Sequence, residues 1–128
     1  DLQNSELRWV NLSGAILKAA KLDRAQILRA NLWKVDLTNA ELKKADLRWS
    51  DLREVKLINA NLSGAELEEN CLIGADLSDA NLSSANLTQT DLSGANLKRC
   101  DLGKTNLSGA NLSQSNLSLT DLSSANLN

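Results

Sequence analysis

Eleven of the sixteen carboxylates in this chain fall at one recurring position, at intervals that are multiples of five: eight Asp, from Asp1 to Asp121, and the three residues Glu6, Glu41 and Glu66. A row of acids could bind cations or relay protons. Ten Asn, from Asn11 to Asn126, share that position with them. An amide cannot replace a catalytic carboxylate, but Asn and Asp alike accept hydrogen bonds from backbone amides beside a corner. The row therefore reads as turn chemistry. The other reactive groups are sparse. There is no His, and Cys71 and Cys100 form no CxxC pair, so a zinc site is not expected. Seven Asn-Leu-Ser/Thr triplets, beginning at Asn11, Asn61, Asn81, Asn86, Asn106, Asn111 and Asn116, match a glycosylation pattern but follow from the repeat itself. No Gly-rich phosphate loop is present. No catalytic residue, cofactor or metal is assigned, and the chain is not expected to be an enzyme.

The elements that carry these residues follow from the same spacing. Every fifth residue from Leu2 to Leu127 is Leu, except Ile27. Two residues before each stands a small residue: fourteen Ala among 25 positions, with Ser, Thr, Val, Cys100 and Asn70 at the others. The unit is A-(N/D)-L-x-x. A helix turns about 100° per residue, so leucines five apart would scatter around its axis. A plain strand would flip them to opposite faces on successive repeats. A short extended piece followed by a corner satisfies both constraints. The small residue and the leucine point inward, the chain turns, and the pattern restarts. Repeated turns in one sense stack leucine on leucine, which buries residues that a single unit cannot.

Composition agrees with a core of one repeated geometry. Apolar residues make up 42% of the chain, yet Phe, Tyr, Met and Pro are absent. The net charge is −2, divided as +3 over residues 1–57 and −5 over residues 58–128. No apolar run approaches the roughly 20 residues of a membrane span, and no signal peptide is visible. The start at Asp1 and the absence of Met imply a processed product or an excised segment. Cytoplasm is the default compartment, with a targeted compartment left open because a leader would have been lost.

Charge spacing predicts the number of sides. At a separation of 20, eight charged pairs are opposite and three alike; at 15 the counts are five and five, and at 25 six and six. Like charges across a ladder are destabilising, so four repeats per coil is the favoured closure.

Twenty-six units in unbroken register resemble the pentapeptide-repeat family across essentially the whole chain. The resemblance implies one domain, 1–128, folded all-β as a right-handed quadrilateral β-helix. It would have about six and a half coils and extend about 31 Å at ~4.8 Å per coil. Helical caps and central Phe, common in the family, are missing, and the missing caps suggest a fragment of a longer solenoid or of a multidomain protein. The family is abundant in cyanobacteria. It implies a non-enzymatic structural or protein-interaction scaffold. Its quinolone-resistance members imply an alternative, a DNA-mimicking modulator of a type II topoisomerase (gyrase-protecting type). That role calls for a long anionic rod, which this chain does not match.

The outward large side chains are the strongest functional signal. With four sides, Trp9, Arg29 and Trp49 share one column, and Arg29 lies between two indoles. Arg8, Leu28 and Arg48 flank them, and Trp33 with Arg53 occupies the next side. Trp and Arg are favoured at interface hot spots. Arg8, Trp9, Leu28, Arg29, Trp33, Arg48, Trp49 and Arg53 are therefore the candidate interaction patch, with another protein as the expected partner. Nucleic acid is disfavoured because Glu54, Glu68 and Glu69 border the patch. Membrane insertion is not expected, and uncapped terminal coils leave room for an end-to-end dimer. Cys100 falls at an inward position and Cys71 at an outward one, more than a coil apart, so no disulfide is expected.

Overall fold

The computed structural model describes all 128 residues. Its repeating event is a single parallel bridge at the residue before each central leucine, followed by a turn. Each bridge joins a residue to the one twenty further on, without a break from Glu6–Gln26 to Asn106–Asn126. Twenty residues therefore close one coil of four five-residue sides, as the charge spacing predicts. We name each side by its first leucine: the Leu2, Leu7, Leu12 and Leu17 sides. The all-β expectation takes a minimal form here. The sheets are ladders of isolated bridges rather than strands, because a turn interrupts every side before pairing can extend along the chain. No helix is long and apolar enough to cross a membrane.

One repeat shows why the pattern is self-sufficient. In Asn61–Ala65 the five backbone amides all find acceptors. Asn61 donates back to the Ala40 carbonyl at 2.9 Å, and Leu62 donates forward to the Asn81 carbonyl at 2.7 Å. Gly64 reaches the Ser83 carbonyl at 2.9 Å, and Ala65 closes the turn onto the Leu62 carbonyl at 2.9 Å. The remaining amide, Ser63, is taken by the Asn61 side chain at 3.2 Å. The turn requires positive φ two residues after the leucine. All 25 such residues adopt it, at 53–70°, although only five are Gly. None is β-branched, the class that tolerates this region least.

The core is the stack of inward leucines and small residues. Leu62, Leu72 and Leu82 have no exposed surface, whereas Leu2, Leu12, Leu112 and Leu122 in the outer coils are only half-buried, covered on one axial side. Cys100 fills an inward position. Its Sγ donates to the Leu77 carbonyl at 2.7 Å, and burial pushes the thiol up to about 12. No disulfide forms: both cysteines are free.

One inward column departs from the pattern. At the corner after the Leu7 side, the turn-closing bond is absent at Val10, Ala30, Ser50 and Asn70 and present again at Thr90. Polar side chains substitute for it at Ala30 and Ser50. The Ser50 hydroxyl accepts from the Ala30 amide at 3.1 Å and donates to the Ile27 carbonyl at 2.8 Å. Asn70 Oδ1 accepts from the Ser50 amide at 2.6 Å. The Asn70 Nδ2 is buried without a partner. The two longest backbone bonds lie here, Cys71 N to Ser50 O at 3.4 Å and Trp49 N to Glu68 O at 3.3 Å. Asn70 is thus larger than its slot and spreads its own coil from the preceding one.

Two stability outcomes follow. Leu62→Ala should cost about 2–5 kcal/mol in chemical denaturation by leaving a cavity in the stack, and Leu2→Ala, in a coil that frays, clearly less; equal losses would contradict a linear stack. Asn70→Thr should raise stability by about 1 kcal/mol by removing the orphaned amide. Its hydroxyl would copy Thr90, which donates to the carbonyl of Leu67 at 2.8 Å. A less stable Asn70→Thr protein would show that the Ser50–Asn70 bond outweighs the orphan.

Candidate functional site

The Asn and Asp of the row serve the turns. Each of the eighteen Asn and Asp at that position accepts, through Oδ1, the amide of the residue two further on. Where Glu41 replaces them, the Lys43 amide turns to Asp23 of the preceding coil instead, at 2.9 Å. These bonds stabilise the ionised acids. The Ser93 amide and hydroxyl hold the Asp91 carboxyl below the usual range, and Ser123 does the same for Asp121. The Thr38 side chain and amide lower Asp36, with help from Lys18. No three Asp, Glu or Cys side chains converge as a metal site.

The candidate patch begins where the corner after the Leu7 side brings one residue of each coil into a vertical column. The guanidinium carbon of Arg29 lies 4.9 Å from the Trp9 ring centre and 5.2 Å from that of Trp49. Arg48 adds a second cation over Trp49 at 5.1 Å. Trp9 is 69% exposed and Trp49 41%. This column lies on the corner where the turn bond is missing, so Ser50 and Asn70 form the inner wall of the same wedge. Both tryptophans are held at positive φ, at 61° and 60°.

Other parts of the patch are arranged differently from the sequence expectation. Trp33 does not interleave with Arg53. Lys34 covers its ring at 4.6 Å, and its Nε1 donates to Glu54 Oε1 at 3.3 Å. Arg53 turns to Asp51 on its own side at 2.5 Å, as Arg48 does to Asp46 at 2.7 Å and Arg8 to Glu6 at 3.0 Å. The reason is geometric: residues flanking an inward leucine both point outward and meet directly. Of the eight opposite pairs at a separation of 20, only Lys34–Glu54 (3.4 Å) and Asp79–Arg99 (2.5 Å) close as ion pairs. The hydrogen bond from Arg53 lowers Asp51 and raises Arg53. At Asp46, burial favours the neutral acid but is outweighed by the bonds from Arg48. Leu28 is half-buried. Two neighbours went unread in the sequence. Ile73, 41% exposed, continues the Trp33–Arg53 column. Arg24, Lys43 and Lys44 line a hollow at the corner before the Leu7 side, and the like pair Arg24–Lys44 at a separation of 20 was its only signal.

These features define a class: a β-solenoid of five-residue units whose surface is a set of straight residue columns. The family description for pentapeptide repeats (8 copies) matches residues 20–59, 60–99 and 100–128, and the chain belongs to the pentapeptide-repeat family. No curated protein matches the sequence. Among solved structures the chain is similar to QnrB1, a plasmid-mediated fluoroquinolone resistance protein. The TM-score is 0.61 at 18% identity, over 98% of this chain and 73% of that one. That likeness carries the fold alone. The chain is also similar to the pentapeptide repeat protein Rfr23 of the cyanobacterium Cyanothece 51142. There the identity is 30% over 96% of this chain and 91% of that one, with a TM-score of 0.40. HetL of the cyanobacterium Nostoc sp. strain PCC 7120, a pentapeptide repeat protein involved in heterocyst differentiation regulation, is 26% identical. It covers 97% of this chain and 87% of its own, with a TM-score of 0.30.

The Asp row sets the response to acid. Asp36, Asp46, Asp51, Asp91 and Asp121 have folded values lowered from the ordinary 3.8. Their contribution is complete above the unfolded value and is lost as pH falls through the lower folded values. The melting temperature should therefore fall below about pH 4. The Asp91→Asn/Asp121→Asn variant, which keeps both acceptors without the titration, should fall less. A melting temperature unchanged between neutral pH and about pH 3 would rule this out.

Proposed function

We propose that the protein is a non-enzymatic scaffold that docks another protein through the Trp/Arg patch on its first three coils. On this reading residues 1–128 act as one rigid domain. At 20 residues per coil, 128 residues make about six and a half coils, wound right-handed as the family likeness implies. The observation that carries the docking reading is Arg29 between Trp9 and Trp49 on an exposed corner. Cation–π contacts fix the guanidinium and both rings before any partner arrives, at ~0.5–1 kcal/mol per exposed contact. Side chains already ordered lose less entropy on binding. None of the three tryptophans belongs to the buried core, so packing does not account for them.

The gyrase-protecting alternative finds its support in the fold shared with QnrB1. A DNA mimic needs an anionic surface, and residues 1–57 carry a charge of +3. Docking of a protein is the better match.

The test is a triple variant, Trp9→Ser/Trp33→Ser/Trp49→Ser, compared with the native chain. Its far-ultraviolet spectrum should be unchanged and its stability lowered by only about 1–2 kcal/mol. Capture of the partner in a pull-down should fall by about a hundredfold, since buried interface Trp residues commonly cost about 2 kcal/mol or more each. Unfolding of the variant would show that the indoles support the core. Undiminished capture by a folded variant would show that the patch is decoration.

A further inference from the structure

Four cations in and beside the patch have no acidic partner. Arg24, Lys43 and Lys44 gather at the corner before the Leu7 side, and Arg29 stands at the corner after it. None takes part in an ion pair. Arg24 and Lys44 stack one coil apart, an arrangement that is unfavourable unless an anion neutralises it. Asp23, the acid in the same hollow, accepts the Lys43 amide through its Oδ1. The corner is concave, enclosing about 230 Å³ between Gln3, Asn4, Asp23, Arg24, Lys43 and Lys44, with no hydrophobic residue in its lining. Between the two corners the Leu7 side presents Arg8 and Arg48, each held by its own acid, and the half-buried Leu28. Free positive charge therefore lies along both edges of one side, with an apolar residue between them.

We infer that this side receives an Asp- and Glu-rich segment of the partner protein, its carboxylates reaching both corners across Leu28. The inference rests on the docking reading and supplies the chemistry of the partner. Charge complementarity selects the acidic segment, and the extent of the charge selects protein over nucleic acid. The basic region spans three coils, about 10 Å, and ends on the same side at Glu66, Glu68 and Glu69. A phosphate backbone continuing along the axis would run into them. A second copy of this chain fits less well. In an antiparallel pair, the register that sets Arg48 against Glu68 also sets Asp46 against Glu66 and leaves Arg24 and Lys44 without an acid.

The experiment uses the full chain and a fluorescent peptide of alternating Asp and Glu, read by anisotropy at about 50 mM salt, where screening is weak. The native chain should bind it, and Lys43→Glu/Lys44→Glu should weaken binding by about tenfold or more. Lys98→Glu/Lys104→Glu makes the same change in net charge at two cations that also lack ion pairs, and should change binding less than about twofold. Equal loss in the two variants would overturn the inference, because net charge alone would then explain the binding. So would tighter binding of a single-stranded oligonucleotide of equal charge, or self-association that accounts for the signal. The tryptophan variant separates the two readings. If the peptide fails to bind while that variant still loses its partner, the acidic segment is wrong and docking stands. If the peptide binds both chains equally while that variant keeps its partner, the basic corner stands and docking through the indoles does not.

Discussion

Everything in this molecule depends on each inward leucine being covered by the leucine of the next coil. A five-residue side buries nothing by itself; its leucine is enclosed only when another coil lies about 4.8 Å away on both faces. That requirement dictates the rest. Coils must repeat with the same number of sides, the inward residue two before each leucine must be small, and the chain must turn the same way every time. The gradient of burial records it directly. Leu62 has no exposed surface, while Leu127 at the end of the stack is 60% exposed.

The corners resolve a conflict that the stack creates. A side this short forces positive φ at every turn, and twenty of the 25 residues there carry side chains that ordinarily avoid it. The strain is offset locally. At most corners the Asn or Asp before the leucine grips the amide after it, while the turn amide closes on the leucine carbonyl. A corner is thus held by its own five residues, and the outward positions are left free to vary. That freedom is what allows Trp, Arg and Lys to occupy the columns of the first coils while Ser and Gly fill the later ones. Function and fold divide along the inside and outside of the same short unit.

Much of this was legible in the sequence because the repeat leaves so little to chance. The period excluded helix and plain strand, charge spacing counted the sides, and the side count placed Arg29 between Trp9 and Trp49. The pairings that the sequence left open share one cause: they concern which of two nearby partners a flexible side chain takes. Arg48 has Asp46 two residues back and Glu68 one coil on, and the nearer acid wins; Arg53 likewise takes Asp51, two residues back. Trp33 has Arg53 above it and Lys34 beside it, and the lysine covers the ring. Asn70 was visible as an exception among small inward residues. Its consequence, a spread pair of coils behind the tryptophan corner, depends on Ser50 and Thr90 lying in the same column.

The register of twenty makes the chain behave like a screw thread. Removing one whole coil advances the thread by a full revolution, so every remaining column keeps its direction and only the length changes. Removing a single five-residue unit between Trp9 and Arg29 turns everything beyond it through one side. Lys34 and Glu54 would then stand over Trp9, and Arg29 and Trp49 would move together to the corner before. The inward leucines would not register the difference, since every side offers them the same slot. Surface identity in this protein is a matter of phase, carried by the number of residues between two points, while the interior carries none of it.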